Sequence, residues 1–127
     1  MGKKILIIED EPDICEELKR WLERENGYEV DVAAHEQEAM ALLAKSRYDL
    51  LLVDILLQGF YGGADVIAHF KNRPDRPKIF IITAVISYEL ERLLREKGIT
   101  HVVDKILKKP DDAMPDKVIP AVKEAIG

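Results

Sequence analysis

The sequence predicts a three-layer α/β domain, with a parallel sheet of five strands covered by helices on both faces. Three observations predict it. Short apolar runs alternate five times with segments of helical period. Three of these runs, Ile5–Ile8, Leu50–Val53 and Ile79–Ile82, are uninterrupted, as strands buried on both faces should be. Each of the three also gives way to a polar residue with chemical potential: Glu9-Asp10, Asp54 and Thr83.

The elements follow in order. Ile5–Ile8 is the first strand, bounded by acids and Pro12. Residues 13–25 place Ile14, Leu18, Trp21 and Leu22 at helical spacing, and Asn26-Gly27 is a stop signal. Tyr28, Val30 and Val32 alternate as in a half-buried strand. Residues 35–45 are rich in Ala, Leu and Glu and read as a helix, followed by the strand Leu50–Val53. Residues 64–71 present Val66, Ile67 and Phe70 on one helix face, and the RPDRP stretch at 73–77 is a loop. After the strand Ile79–Ile82, Ser87 is expected to cap a helix carrying Leu90, Leu93 and Leu94, stopped by Gly98. Val102-Val103 is expected to begin the fifth strand, and residues 115–126 form the last helix, with Pro120 expected to kink it.

Bulk properties bound the function. The 127 residues make one ordinary domain, 47% hydrophobic and 34% charged, so a packed core is affordable and disorder is excluded. Net charge is −5 and no Lys/Arg cluster stands out, which argues against direct nucleic-acid binding. No apolar run approaches membrane-spanning length. A single cysteine, Cys15, rules out an intrachain disulfide and fits a reducing compartment, so a cytoplasmic location is expected. His35, His69 and His101 show no metal-ligand spacing.

In open α/β sheets, functional groups gather at the carboxyl ends of the strands. With strand order 2-1-3-4-5, Glu9-Asp10 and Asp54 would lie on neighbouring strands, flanked by Thr83 and a lysine after strand 5. Crowded carboxylates repel one another unless a cation intervenes. Mg²⁺ takes oxygen ligands, needs few carboxylates and keeps exchangeable waters that phosphate oxygens can replace. Asp54 is then a candidate nucleophile at phosphorus, with a lysine and the Thr83 hydroxyl offsetting the charge of the transferring group.

These residues, IIEDEP after strand 1, LLVDILLQG around Asp54, IITA at Thr83 and the lysine after Gly98, resemble the response-regulator receiver domain of two-component signalling over residues 3–105. The resemblance implies the flavodoxin-like (βα)5 fold and a single receiver domain over 1–127. It implies a domain that catalyses only its own phosphorylation and dephosphorylation. Asp54 would accept a phosphoryl group from a phosphohistidine on a sensor histidine kinase or a histidine phosphotransfer protein. Mg²⁺ would be held by Glu9, Asp10, Asp54 and the backbone carbonyl of Leu56. Thr83 and a lysine would contact the phosphoryl group, and the signal would pass to a downstream effector protein or an output domain. No membrane partner is expected.

The sequence departs from the family pattern at three places. Gln58 stands where the family usually has proline, which predicts a more mobile loop. Lys105 has the expected spacing from Thr83 and Gly98 and is the preferred site lysine, although the usual Lys-Pro pair occurs at Lys109-Pro110. Choosing Lys105 implies a trans bond to Ile106 and an atypical loop at about 106–114. The family's strand 5 aromatic lies three residues before the lysine. That makes Val102 the partner of Thr83 in the switch, or Ile106 if Lys109 is used, and neither is aromatic.

Two other readings compete. An aspartyl-nucleophile phosphohydrolase would want a second acid where Leu56 stands, and a dinucleotide site would want a GxGxxG turn that the first strand lacks. A degenerate receiver acting as a phosphorylation-independent binding module is the stronger alternative.

Overall fold

The computed structural model describes residues 2–127, with only the backbone of Glu25 and Asn26. Five parallel strands, β1 (Lys4–Ile8), β2 (Glu29–Ala33), β3 (Leu50–Val53), β4 (Lys78–Thr83) and β5 (Lys105–Lys108), pair in the order β2-β1-β3-β4-β5. They alternate with α1 (Pro12–Asn26), α2 (Glu36–Lys45), α3 (Gly62–Ala68), α4 (Ser87–Lys97) and α5 (Pro115–Ile126).

The uninterrupted runs are explained by two cores. Side chains alternate across a strand. Leu6, Ile8, Leu51, Val53, Ile79 and Ile81 therefore pack on the side of α2, α3 and α4. Ile5, Ile7, Leu50, Leu52, Phe80 and Ile82 pack on the side of α1 and α5. Helix α1 begins at Pro12, whose fixed φ suits a first helical turn, and ends at Gly27 in the left-handed conformation. Gly98 ends α4 in the same way. Ser87 is the first residue of α4 rather than its cap, and Ile86 holds the cap position without a side-chain bond. Pro120 lies inside α5.

The fifth strand differs from its expected position. Thr100–Val102 is a 3₁₀ turn, and β5 is the KILK segment that follows. Ile99 and Val102 are fully buried, but they fill the α2–α4 side of the core from a turn. The strand starts where Asp104 brackets Ile79: its N–H donates to the Ile79 carbonyl, and its carboxylate accepts from the Ile79 N–H, both at 2.8 Å. Only Leu107 of β5 is buried, as befits a short lysine-flanked edge strand. Of the atypical loop expected at about 106–114, residues 106–108 belong to this strand and Asp111–Ala113 form a 3₁₀ turn.

Candidate functional site

The register aligns the strand ends. Ile8 pairs with Val53, Val53 with Ile81, and Thr83 with Lys108. Glu9, Asp54, Thr83 and Lys109 thus meet at one edge of the sheet. Glu9 and Asp54 are almost completely buried, at 3% and 5% exposure, and Thr83 is fully buried.

Lys109 is the centre of this cluster. Its Nζ lies 2.7 Å from Glu9, 2.8 Å from Asp54 and 2.5 Å from Glu11. Lys105 is elsewhere. It pairs with Phe80 at the start of β5, four residues and roughly 13 Å of strand from Lys109. The spacing argument that favoured Lys105 failed because the chain uses residues 99–104 for a turn and a strand lead-in. The Lys109-Pro110 peptide is the one cis bond among the described residues. With Lys109 at the site, the position three residues before it is Ile106, which is 40% exposed on β5, and not the buried Val102.

Burial pushes the Glu9 carboxyl up to about 7. The hydrogen bond from Lys109 opposes this rise, and the charge of Asp54 adds to it. Burial likewise opposes the charge of Lys109, but its bonds to Asp54, Glu11 and Glu9 outweigh that and hold it above the ordinary lysine value. Cys15 donates to the Glu9 carbonyl at 3.3 Å, and burial pushes its thiol up to about 12, so it packs rather than reacts.

Carboxylate oxygens of Glu9, Glu11 and Asp54 lie within 4.8 Å of one another. Glu11, which is not in the expected ligand set, is therefore part of the site. Asp10 is oriented differently: its carboxylate accepts the Gln58 N–H at 2.8 Å. Gln58 and Gly59 are the central residues of a two-residue turn closed by paired Leu57–Phe60 backbone bonds, and both have positive φ, 52° and 83°. Proline could neither adopt that φ nor donate to Asp10. Gln58 thus ties the loop to Asp10. The Asp54 carboxylate accepts from the Leu56 N–H at 3.2 Å. The Thr83 hydroxyl accepts from the Val85 N–H at 3.2 Å and so engages the loop before α4.

Asp10, Glu11, Asp54, Leu56 and Lys109 line a cleft of about 300 Å³. All its acidic donors are hard oxygens, and three carboxylates against one ammonium leave an excess of negative charge. A hard divalent cation of the Mg²⁺ type fits that donor set.

The response regulator receiver domain model matches residues 5–114. The chain belongs to the response regulator receiver domain family. Similar proteins include a response regulator receiver protein of Anaeromyxobacter sp. (strain Fw109-5), 32% identical over 85% of this chain and 44% of its own length. The transcriptional regulatory protein ResD of Bacillus subtilis (strain 168) is 34% identical over 84% of this chain and 42% of its own. The receiver domain thus spans less than half the length of these relatives. Among solved structures, a CheY-like receiver domain protein of Methanospirillum hungatei JF-1 superposes with TM-score 0.81 at 30% identity, covering 98% of this chain and 93% of that one. TrrA of Thermotoga maritima, solved in complex with Mg²⁺-BeF, superposes with TM-score 0.75 at 31% identity, covering 98% and 99%. The fold and the two-component signalling class expected from the sequence are both met. Among the described residues, no helix is long and apolar enough to cross a membrane.

Proposed function

We propose that this receiver domain accepts a phosphoryl group on Asp54 from a phosphohistidine of a sensor histidine kinase or histidine phosphotransfer protein, in a Mg²⁺-dependent, self-catalysed transfer. The observation that carries the reading is the buried Asp54 carboxylate held 2.8 Å from the Lys109 ammonium, beside Glu9 at the carboxyl edge of the sheet. An Asp54 oxygen attacks phosphorus, the P–N bond breaks, and its electron pair leaves on the imidazole nitrogen. Lys109, 2.8 Å from Asp54, would neutralise charge on the transferred group. Glu9, Asp10, Asp54 and the Leu56 carbonyl would hold Mg²⁺, which supplies charge neutralisation for the phosphoryl oxygens. Hydrolysis by water would return Asp54 to its carboxylate.

The relay step follows from Thr83. Its hydroxyl accepts from the Val85 N–H and keeps its own proton to donate, so turning toward a phosphoryl group on Asp54 would draw on the loop leading into α4. The altered surface would engage an effector protein or an output domain. Ile106, with no aromatic ring, would follow that motion in place of the family's aromatic. The lone buried thiol is consistent with work in the reducing cytoplasm.

The test is incubation with Mg²⁺ and a small phosphodonor, followed by intact-mass measurement. A phosphoryl adduct is expected in the wild type and absent in Asp54→Asn. No adduct at any Mg²⁺ concentration would refute phospho-acceptance and leave the degenerate binding module.

A further inference from the structure

Glu11 occupies an unusual position. It caps α1, and its carbonyl accepts the Cys15 N–H at 3.1 Å, yet its side chain makes no capping bond. Its N–H donates to the Glu9 carboxylate at 3.2 Å, so its backbone is fixed against the site. Its side chain instead crosses from the start of α1 to the carboxyl end of β5 and meets the Lys109 ammonium at 2.5 Å. The three acids around Lys109 are unlike one another. The side chains of Glu9 and Asp54 are 3% and 6% exposed, whereas that of Glu11 is 56% exposed. Lys109 therefore bridges two buried oxygens and one at the surface.

A divalent cation held by Glu9 and Asp54 would repel the ammonium that now bonds both carboxylates, and the lysine would be driven outward. A lysine withdrawing to bulk water would be lost to the phosphoryl group. Glu11 is the outer of its three partners, and it would remain within reach if the inner two were given up. We infer that Glu11 is a positioning residue that holds Lys109 aside, but close by, when the cation occupies Glu9 and Asp54. It thereby sets how readily the site loads Mg²⁺. This rests on the Mg²⁺-dependent reading of the site given above.

The test is a double-mutant cycle read by calorimetric titration with MgCl₂ at fixed salt, on wild type, Glu11→Gln, Lys109→Met and the double variant. Glu11→Gln is isosteric at a half-exposed side chain, and melting curves of the metal-free variants verify folding. Glu11→Gln should raise the Mg²⁺ Kd about fivefold, the upper range for a half-exposed ion pair. Lys109→Met should lower the Kd by removing the competing cation. In the Lys109→Met background, Glu11→Gln should change the Kd by less than about twofold, because Glu11 acts through the lysine. With a small phosphodonor, Glu11→Gln should raise the Mg²⁺ concentration for half-maximal phosphorylation. An undiminished Glu11→Gln effect without Lys109 would make Glu11 a direct ligand or a diffuse charge and overturn the inference. So would a Glu11→Gln Kd equal to wild type. Wild type that binds no Mg²⁺ would instead overturn the metal reading itself, and this inference with it.

Discussion

Gly62 and Gly63 are adjacent, yet the structure assigns them opposite tolerances. A Cβ on Gly63 would lie 1.9 Å from the Asp54 carbonyl oxygen, 2.7 Å from its carbon and 2.8 Å from the Ile55 Cα. Relief requires the start of α3 or the peptide after Asp54 to move by more than 1 Å, roughly, since carbon contacts settle near 3.5 Å. The Gly63 N–H to Ile55 carbonyl bond of 3.1 Å ties the two segments together and would be strained or lost. Overpacking of this kind costs about 1–3 kcal/mol and a lost hydrogen bond about 1 kcal/mol, against at most about 1 kcal/mol regained from the better helix propensity of alanine. Gly63→Ala should therefore destabilise the fold by about 1–4 kcal/mol. For a chain of this length, an unfolding entropy near 2.1 cal/mol/K per residue gives a fall in Tm of about 4–15 °C. At Gly62, a Cβ would meet only the Glu36 and Leu57 side chains, at 3.5–3.6 Å, which is ordinary contact. Gly62→Ala should leave Tm within about 2 °C of wild type. Thermal melts followed by circular dichroism measure both. Because the clash falls on the backbone of Asp54, Gly63→Ala should also slow phosphorylation by a small donor below the midpoint of its melt. Equal Tm values for the two variants would refute the packing geometry at the acceptor.

Other outcomes follow from the site. Lys109→Ala should lower the phosphorylation rate on the order of a hundredfold, whereas Lys105→Ala, exposed at the far end of β5, should stay within about twofold of wild type in an initial-rate assay. Gln58→Pro should cost about 3 kcal/mol, because proline cannot adopt a φ of 52° or donate to Asp10. Gln58→Gly keeps both and should melt near wild type. The raised Glu9 carboxyl makes the metal-free protein lose stability with rising pH. Between pH 4.5 and about 7 the native state retains a proton that the unfolded chain has released, so unfolding gains ground through that window and levels off above it. Tm measured in EDTA should show this fall, and Glu9→Gln should flatten it.

The fold was legible because the central strands announce themselves. Ile5–Ile8, Leu50–Val53 and Ile79–Ile82 are buried on both faces, and nothing else in a chain of this size demands such runs. The alternation in β2 and the glycine stops of α1 and α4 were equally readable, since each reflects a local backbone requirement. The edge strand was not. KILK buries one residue, while the nearby Ile99, Val102 and Val103 are more apolar and more buried, so hydrophobicity pointed to the turn and away from the strand. What defines the start of β5 is a pair of hydrogen bonds between Asp104 and Ile79, one backbone to backbone and one from the Ile79 N–H to the Asp104 carboxylate, which composition does not encode.

The misplaced strand carried the lysine with it. Counting from Gly98 assumed that the residues after the helix stop enter the sheet directly, but a 3₁₀ turn consumes them first. A four-residue shift keeps the alternation parity, so the pattern of faces could not reveal the error. The Lys109-Pro110 pair was the signal that weighed against it. Glu11 was hidden for a different reason. An acid at a helix start has a sufficient local explanation in the helix dipole, and nothing within α1 indicates a partner 98 residues away. The acids of β1 and β3 are fixed by the two most certain strands. The cation facing them comes from the least certain one, and so from the part of the site where sequence reasoning had the least to hold on to.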